Sequence, residues 1–313
     1  MQQSETINLQ AVTEDAGKRL DGFLAEKIEG WSRSRLQKLI DDGDVLVNEK
    51  EGKASYKLRE GDDIEIELSE ASVERFEPEN IPLNIVFEDE FLAVINKAAG
   101  MVVHPGAGVS SGTLANAIAY HFRLADSKFE NRVGIVHRLD KDTSGLIVVA
   151  KSDQVHEKLS ALFRDRKVTK NYVALIHGAP RENHGRVDRP IARERFHRTR
   201  MTVAANGREA LTLWKVRQRF EKFTLLDVEI KTGRTHQIRV HLASINHPIV
   251  GDPTYNAGRD NTVADQNIRL AINKLDRPFL HSEKLAFAHP VTDEHLSFTA
   301  EMPAELKEFL DLL

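Results

Sequence analysis

The chain is constrained most by a series of short strand-like segments that follow one another with few helices between them. Eight apolar runs of this kind, each bounded by polar turns, predict strands beyond residue 90: Phe91–Asn96, Val133–Val136, Leu146–Ala150, Tyr172–Ile176, Leu211–Arg217, Thr224–Ile230, Leu285–Ala288 and Leu296–Thr299. Apolar residues at helical spacing predict four helices: Thr113–Phe122, Val155–Arg164, Thr235–Ile245 and Ala304–Leu312. Strands joined directly to strands predict an α+β fold, with a mixed, largely antiparallel sheet and flanking helices.

A smaller unit precedes this sheet in the sequence. Helical spacing and short apolar runs predict two helices and two strands: Arg19–Glu29, Arg33–Ile40, Val45–Asn48 and Asp63–Leu68. The second helix carries three bases off its apolar face: Arg33, Arg35 and Lys38. The following stretch, Glu70–Pro82, holds two prolines and many acids, a composition typical of a linker. We therefore predict an N-terminal domain over 1–75, an acidic linker over 76–90 and a larger domain over 91–313.

The formal net charge of −4 hides an uneven distribution. Residues 60–90 contain twelve acids and one base, so the rest of the chain carries a net charge of +7. Bases concentrate at three places: Arg33–Lys38, Arg164–Lys170 and Gly185–Arg200. Each cluster alone is typical of a solvated surface. Three of them outside one acidic segment favour a polyanionic partner such as RNA.

Composition excludes several classes of site. The chain has no cysteine, so it has no disulfides, no thiol catalysis and no zinc site built on cysteine. His236 and His241 are five residues apart and do not share a helix face as a zinc pair would, so we expect no metal. Met1–Glu5 has neither the basic start nor the apolar core of a signal peptide, and the apolar runs are too short to cross a bilayer. We expect a cytoplasmic protein without a membrane partner.

The residues His137–Gly145 place one acid, Asp140, between two apolar runs. It falls where a buried strand would meet its loop, a position that a rigid scaffold holds and a ligand can still reach. An Asp is also common there as a turn cap, because its side chain bonds nearby backbone N–H groups. The spacing alone favours the turn cap, so the functional interpretation depends on the other motifs.

A second motif, Thr232–His241, puts Arg234 at the corner between a predicted strand and a helix that Thr235 can cap. A guanidinium fixed at such a corner can hold a carboxylate in one orientation and keep it ionised. Tyr172 opens a strand just after a basic cluster, where it can offer an aromatic platform for a base and a hydroxyl for proton transfer. A surface cation and a core tyrosine are the default interpretations of these two residues.

Together, the His137–Gly145 motif, the lysine-rich approach to Tyr172 and the run Lys231–His241 resemble the pseudouridine synthases of the RluA type. The N-terminal unit is similar to the small RNA-binding fold called the alpha-L motif. The resemblance covers nearly the whole chain, although it leaves the role of Ala257–Asp276 open. It implies isomerisation of uridine to pseudouridine in large-subunit ribosomal RNA, either in a stem-loop or in a pre-ribosomal particle, and it implies no cofactor and no metal.

The resemblance also implies roles for the candidate residues. Asp140 is the nucleophile that attacks C1′ or C6 of a flipped-out uridine, and Arg234 pairs with it. Tyr172 packs on the uracil and can help to remove the C5 proton. Arg138 fills the space that the flipped base leaves. The full set of residues expected to bind substrate is Arg138, Ile238, Leu280, Arg33, Arg35 and Lys38. No apolar stripe is left unassigned, so we expect a monomer.

Two other classes stay open on the sequence. A non-catalytic RNA-binding ribosome-assembly factor would bind RNA but would not need Asp140, Tyr172 and Arg234 in one pocket. A glycosidase would need a second carboxyl group beside the scissile bond, for which Asp142 is the nearest candidate.

Overall fold

The computed structural model describes residues 5–28, 31, 33–68, 77–105, 109–122, 134–194, 197 and 200–313, without the side chains of residues 34, 35, 38 and 42. The chain divides into two compact units, Met1–Arg75 and Phe76–Leu313. The side chains of Arg35 and Lys38, which we predict to contact RNA, lie outside the described part.

The first unit packs two helices against a small antiparallel sheet. Its elements are β1 (Glu5–Gln10), α1 (Leu20–Lys27), α2 (Arg33–Asp42), β2 (Val45–Val47), β3 (Lys50–Glu51) and β4 (Asp63–Leu68). The strand order is β1-β4-β2-β3. Along β4 exposed acids alternate with buried residues, so Ile64 and Ile66 reach a core shared with Leu20, Phe23 and Leu36.

The second unit contains the large sheet and its helices. Its strands are β5 (Ile85–Glu88), β6 (Leu92–Lys97), β7 (Ser144–Ala150), β8 (Thr169–His177), β9 (His184–Asp188), β10 (Ile191–Arg193), β11 (Met201–Val203), β12 (Leu211–Arg219), β13 (Phe223–Ile230), β14 (Leu280–Ala288) and β15 (His295–Thr299). Its α-helices are α3 (Leu114–His121), α4 (Asp153–Arg164), α5 (Gln237–Ser244), α6 (Gln266–Leu275) and α7 (Ala304–Leu310). Among the described residues, no helix is long and apolar enough to span a membrane.

Nine strands form one mixed sheet, in which β10 and β11 take no part. The order is β5-β6-β7-β14-β8-β13-β12-β9, with β15 paired to β14. Neighbouring strands in the described part of this sheet run antiparallel except β7 and β14, which are parallel. The predicted α+β fold with a mixed, largely antiparallel sheet is confirmed.

The middle of this sheet is covered on both faces. Every residue of β7 is buried, and its side chains alternate between two hydrophobic clusters. Ile147 packs in a cluster with Leu114 of α3, whereas Val148 packs in a cluster with Leu159 of α4. Full burial explains why β7 reads as a continuous apolar run in the sequence rather than as an alternating one.

Gly145 permits the close approach of the two parallel strands. Its φ is +114°, and a Cβ atom there would lie 2.2 Å from the carbonyl oxygen of Ser282 on β14. Only glycine meets both conditions. The loop that precedes β7 therefore lies near the centre of the sheet, beside β14.

The structure differs from the sequence prediction at three places. Of the predicted strand Val133–Val136, the described residues form only an isolated bridge, between Ile135 and Val149. Part of the predicted linker, Ile85–Glu88, is β5 and pairs with β6, because its apolar residues complete the edge of the sheet. The helix of the second motif begins at Gln237 rather than at Thr235. Its N-cap residue is His236, in the left-handed conformation.

Candidate active site

One small cavity at the centre of the large sheet brings the predicted site residues together. It is lined by Asp140, Tyr172, Arg138, Arg234, Ile238 and Leu280. Tyr172 lies on β8 and Leu280 begins the paired strand β14, so the sheet fixes both side chains. Ile238 lies in the first turn of α5, and Asp140 lies in the loop before β7. Every site residue predicted for the second unit therefore faces one pocket.

A larger cleft of about 730 Å³ opens beside this pocket and shares Arg138, Tyr172 and Arg234 with it. Its walls carry four further bases: Arg164, Arg166, Lys170 and Lys231. Burial, together with the charge of Lys231, lowers the pKa of Lys170 to about 8, so this side chain is mostly charged at neutral pH. A basic cleft of this size is suited to the phosphate backbone of RNA.

The loop that carries Asp140 is held by hydrogen bonds at both ends. Before the acid, His137 Nε2 accepts from the backbone N–H of Val148 at 3.0 Å, and its ring stacks on Phe163 with centroids 4.5 Å apart. Burial lowers the pKa of His137 to about 3, so the ring stays neutral and keeps its acceptor nitrogen. After the acid, the N–H of Thr143 donates to the carbonyl oxygen of Asp140 at 3.1 Å.

Two buried bases fix the backbone that follows Asp140. Lys97 is 1% exposed. Its Nζ donates at 2.7, 2.9 and 2.9 Å to three carbonyl oxygens, those of Ala98, Met101 and Lys141. Arg277 donates to the carbonyl oxygen of Asp142 at 3.1 Å. These contacts restrict the movement of the nucleophile candidate, because they hold the carbonyl groups of the two residues that follow it.

We expect Lys97→Met to change how stability depends on pH. Burial lowers the pKa of Lys97 from 10.5 to about 7. Between these values the unfolded chain binds a proton that the folded chain does not, so stability rises with pH over that window. The variant lacks this contribution and leaves carbonyl oxygens without a donor, which costs about 1–3 kcal/mol.

Urea unfolding of both proteins from pH 7 to pH 9 measures this dependence. The free energy of unfolding of the wild type minus that of Lys97→Met should increase as the pH rises. The matched variant Lys141→Met, at an exposed position, should follow the wild type. A constant difference between wild type and Lys97→Met across the range would contradict the prediction.

The arginine that pairs with Asp140 is Arg239, and the predicted pairing with Arg234 is wrong. Arg239 NH1 lies 3.3 Å from Asp140 Oδ2. The Nε of Arg234 instead donates to the backbone carbonyl of Glu209 at 3.0 Å. The physical reason is that Arg234 is bound at Glu209, whereas a bidentate pair with Asp252 holds Arg239, in the first turn of α5, beside Asp140.

Arg239 also forms an ion pair with a second carboxylate, that of Asp252. Its Nε and NH2 donate to the two oxygens of Asp252 at 2.7 and 2.8 Å, in a bidentate pair whose acid is 0% exposed. Burial acts to lower the pKa of Arg239, but the hydrogen bonds and charge of Asp252 outweigh it and the pKa is raised. The guanidinium also lies over the ring of Tyr255, 5.0 Å from its centroid. Arg239 is thus a permanent, oriented cation beside Asp140.

Tyr172 remains a neutral phenol in this site. It is 6% exposed, and burial together with the nearby charge of Asp140 raises its pKa, although a hydrogen bond with Ser282 acts in the opposite direction. A phenol with a raised pKa keeps its proton at neutral pH, and a protonated phenol is a poor proton acceptor. Its ring is therefore better suited to contact a base than to act as a phenolate.

In the first unit, Arg33 is engaged in an ion pair. Its NH2 lies 3.0 Å from Asp21 Oδ2, and Arg19 donates to the same carboxylate. The Arg33 side chain is still 57% exposed. Its contact with RNA stays a prediction, as do those of Arg35 and Lys38.

Sequence reasoning missed Arg239 and Asp252. Arg239 lies in the second motif among residues of α5 that are nearly all buried, and a buried arginine requires an acidic partner. Asp252 follows the apolar run Pro248–Val250, the same pattern that drew attention to Asp140. Within the described residues, no group of three or more His, Asp or Glu side chains could hold a metal ion.

The chain is similar to known proteins over nearly its whole length. The profile of RNA pseudouridylate synthases matches residues 91–244, and that of the S4 domain matches residues 18–64. An uncharacterized RNA pseudouridine synthase of Aquifex aeolicus is 42% identical over 311 residues, which cover 98% of this chain and 96% of that protein. Ribosomal large subunit pseudouridine synthase D of Pasteurella multocida is 41% identical over 311 residues, covering 98% and 95%.

A solved structure is similar as well. Human RNA Pseudouridylate Synthase Domain Containing 4 superposes with a TM-score of 0.58 at 26% identity. The match covers 73% of this chain and 92% of that one.

Proposed function

The chain belongs to the RNA pseudouridine synthases, and we propose that it isomerises uridines of large-subunit ribosomal RNA with Asp140 as the nucleophile. Family membership gives the general reaction, uridine isomerisation in RNA, and the S4 domain is an RNA-binding module. The substrate class and the residue roles are our proposal. The observation that carries it is one pocket in which Asp140, Arg239 and Tyr172 meet beside a basic cleft.

The reaction needs a nucleophile and a fixed geometry more than it needs a cofactor. The N1–C1′ bond of uridine breaks, the uracil turns, and C5 bonds to C1′. N1 then carries a proton, and the proton on C5 is released. A carboxylate can attack C1′ or C6 and leave again, which is covalent catalysis. Asp140 is suited to this role because Arg239 orients its carboxylate and the anchored loop holds its backbone.

Tyr172, Ile238 and Leu280 are proposed to contact the uracil. All three line the pocket and are buried. The target base is inaccessible while it is stacked, so the nucleotide must flip out, at a cost of a few kcal/mol. Contacts between phosphates and the bases of the cleft can offset this cost. Arg138 lines both the pocket and the cleft, a position from which it can fill the space left by the flipped base.

Large-subunit ribosomal RNA is proposed as the substrate on the basis of the relatives. Several proteins about as similar as the Pasteurella enzyme carry the same name, including one from Haemophilus influenzae at 41% identity over 310 residues. Proteins usually read RNA sequence in unpaired loops, so we propose a stem-loop target, in free RNA or in a pre-ribosomal particle. Action as a monomer in the cytoplasm stays a prediction from the sequence.

Release of tritium tests the proposed substrate. RNA transcribed with uridine labelled at C5 loses its label to water when pseudouridine forms. We expect the purified protein to release tritium from large-subunit RNA or particles, and to release much less from small-subunit RNA of equal concentration. Equal release from both RNAs would contradict the proposed substrate, and no release from either would contradict the activity.

A further inference from the structure

The N-cap residue of α5, His236, has an unusual backbone on the wall of the active-site pocket. Its φ is +55° and its ψ is 21°, in the left-handed region that residues other than glycine rarely adopt. Such conformations persist where the surrounding structure holds them, and they concentrate at functional sites. The side chain does not cap α5, so capping does not explain this geometry.

Hydrogen bonds to Tyr255 define which nitrogen of His236 carries the proton. The Tyr255 hydroxyl oxygen accepts from the backbone N–H of Met201 at 2.8 Å and lies 2.8 Å from His236 Nδ1. Burial raises the pKa of Tyr255 and lowers that of His236, so both groups are neutral. Within the described part of the chain the phenol proton has no other acceptor. Nδ1 must therefore accept it, and the proton of the imidazole must lie on Nε2.

The Nε2–H group of His236 is a donor that the described protein leaves unused. No residue among those described accepts a hydrogen bond from it, and it is not a buried unsatisfied atom, so it stays accessible. The residue lines the same pocket as Asp140. An oriented donor without a protein acceptor, in a pocket that receives a polar nucleotide, is suited to an acceptor on that ligand.

We propose that His236 is a substrate-contacting residue, whose Nε2–H donates a hydrogen bond to an oxygen of the flipped-out uridine. This inference rests on the proposed function and adds a residue role to it. Tyr255 is then a positioning residue, because its hydroxyl fixes the tautomer and direction of the imidazole. The turn from Asp252 to Tyr255 orients two pocket side chains at once, since Asp252 holds Arg239 and Tyr255 holds His236.

Two substitutions of His236 test the Nε2–H donor apart from any effect on folding. In His236→Asn, the amide oxygen can accept from Tyr255 as Nδ1 does, and Asn tolerates the left-handed backbone, but nothing reaches the position of Nε2. In His236→Gln, the longer side chain carries an N–H group to about that position. We expect His236→Asn to slow single-turnover pseudouridine formation about 10- to 100-fold with unchanged RNA affinity and Tm. His236→Gln should recover most of that loss.

Equal rates in the wild type and His236→Asn would overturn the proposal, and so would equal losses in the Asn and Gln variants. Either result would leave the proposed function standing, because the wild type still forms pseudouridine, whereas a wild type that forms no pseudouridine in any RNA would contradict the proposed function and this inference with it. A substrate with 2′-deoxyuridine at the target position identifies the acceptor. If His236→Asn slows the reaction of the deoxy substrate no further, the bond is made to the 2′-hydroxyl. If the rate reductions from His236→Asn and from the deoxy substrate add, the bond is made to another oxygen of the same nucleotide.

Discussion

Replacement of Asp140 by Asn is expected to abolish pseudouridine formation without unfolding the protein. The amide keeps the size of the carboxylate and can still accept a hydrogen bond from Arg239, but it is not a nucleophile. We expect the single-turnover rate to fall by at least about a thousandfold, because loss of a covalent nucleophile removes the reaction path itself. RNA affinity and Tm should stay near the wild-type values.

Asp142→Asn is the matched control for this result. Asp142 is two residues away, and it does not line the pocket that contains Asp140. The control should keep its rate within about threefold of the wild type, since it removes no group that touches substrate. Loss of activity in Asp142→Asn equal to that in Asp140→Asn would instead favour a mechanism with two carboxyl groups, as in a glycosidase. An active Asp140→Asn enzyme would contradict covalent catalysis by this residue.

Replacement of Arg239 by Met is expected to have the largest effect on stability. It leaves the fully buried Asp252 as an unpaired charge, and breaking a buried pair in this way costs about 3–5 kcal/mol. It also removes the cation that orients Asp140, so activity should fall sharply even where the protein is folded. Urea unfolding and the single-turnover rate measure the two effects separately.

Two comparisons distinguish the role of Arg239 from a general loss of charge. Arg234→Met should cost less than about 1 kcal/mol, because Arg234 is half-buried and makes its side-chain bond to one backbone carbonyl. The double variant Arg239→Met with Asp252→Asn should recover part of the lost stability, because no buried charge is left unpaired. It should not recover activity. Equal destabilisation by Arg234→Met and Arg239→Met would contradict the assignment of the ion pair.

The sequence predicts well those parts of the site that local pattern controls. Asp140 precedes β7 and Tyr172 lies on β8, two strands that read clearly as apolar runs, whereas helical spacing predicts only that Ile238 is buried and its place in the pocket came from the family resemblance. Leu280 came only from the family resemblance. Because β7, β8 and β14 pair side by side, correct placement of the strands brings these residues together.

The partner of Asp140 was not predictable in this way. The pair with Arg239 joins residues 99 positions apart, and its geometry depends on Asp252, a third residue that holds the guanidinium. Arg234, five residues earlier, bonds the backbone carbonyl of Glu209 instead. Lys97 reads as an ordinary strand end, and only the structure shows that its Nζ binds the loop of the nucleophile. The sequence pattern therefore does not predict the exact ends of helices and strands or the polar contacts between distant residues.

The most direct test of the account is a map of pseudouridine at nucleotide resolution. Large-subunit ribosomal RNA that lacks the modification would be incubated, free and in particles, with the wild type or with Asp140→Asn, and then mapped. We predict new pseudouridines at a few defined positions with the wild type and none with the variant. The same positions modified by both proteins, or none modified by either while both bind the RNA, would contradict the claim that Asp140 in this pocket isomerises uridine.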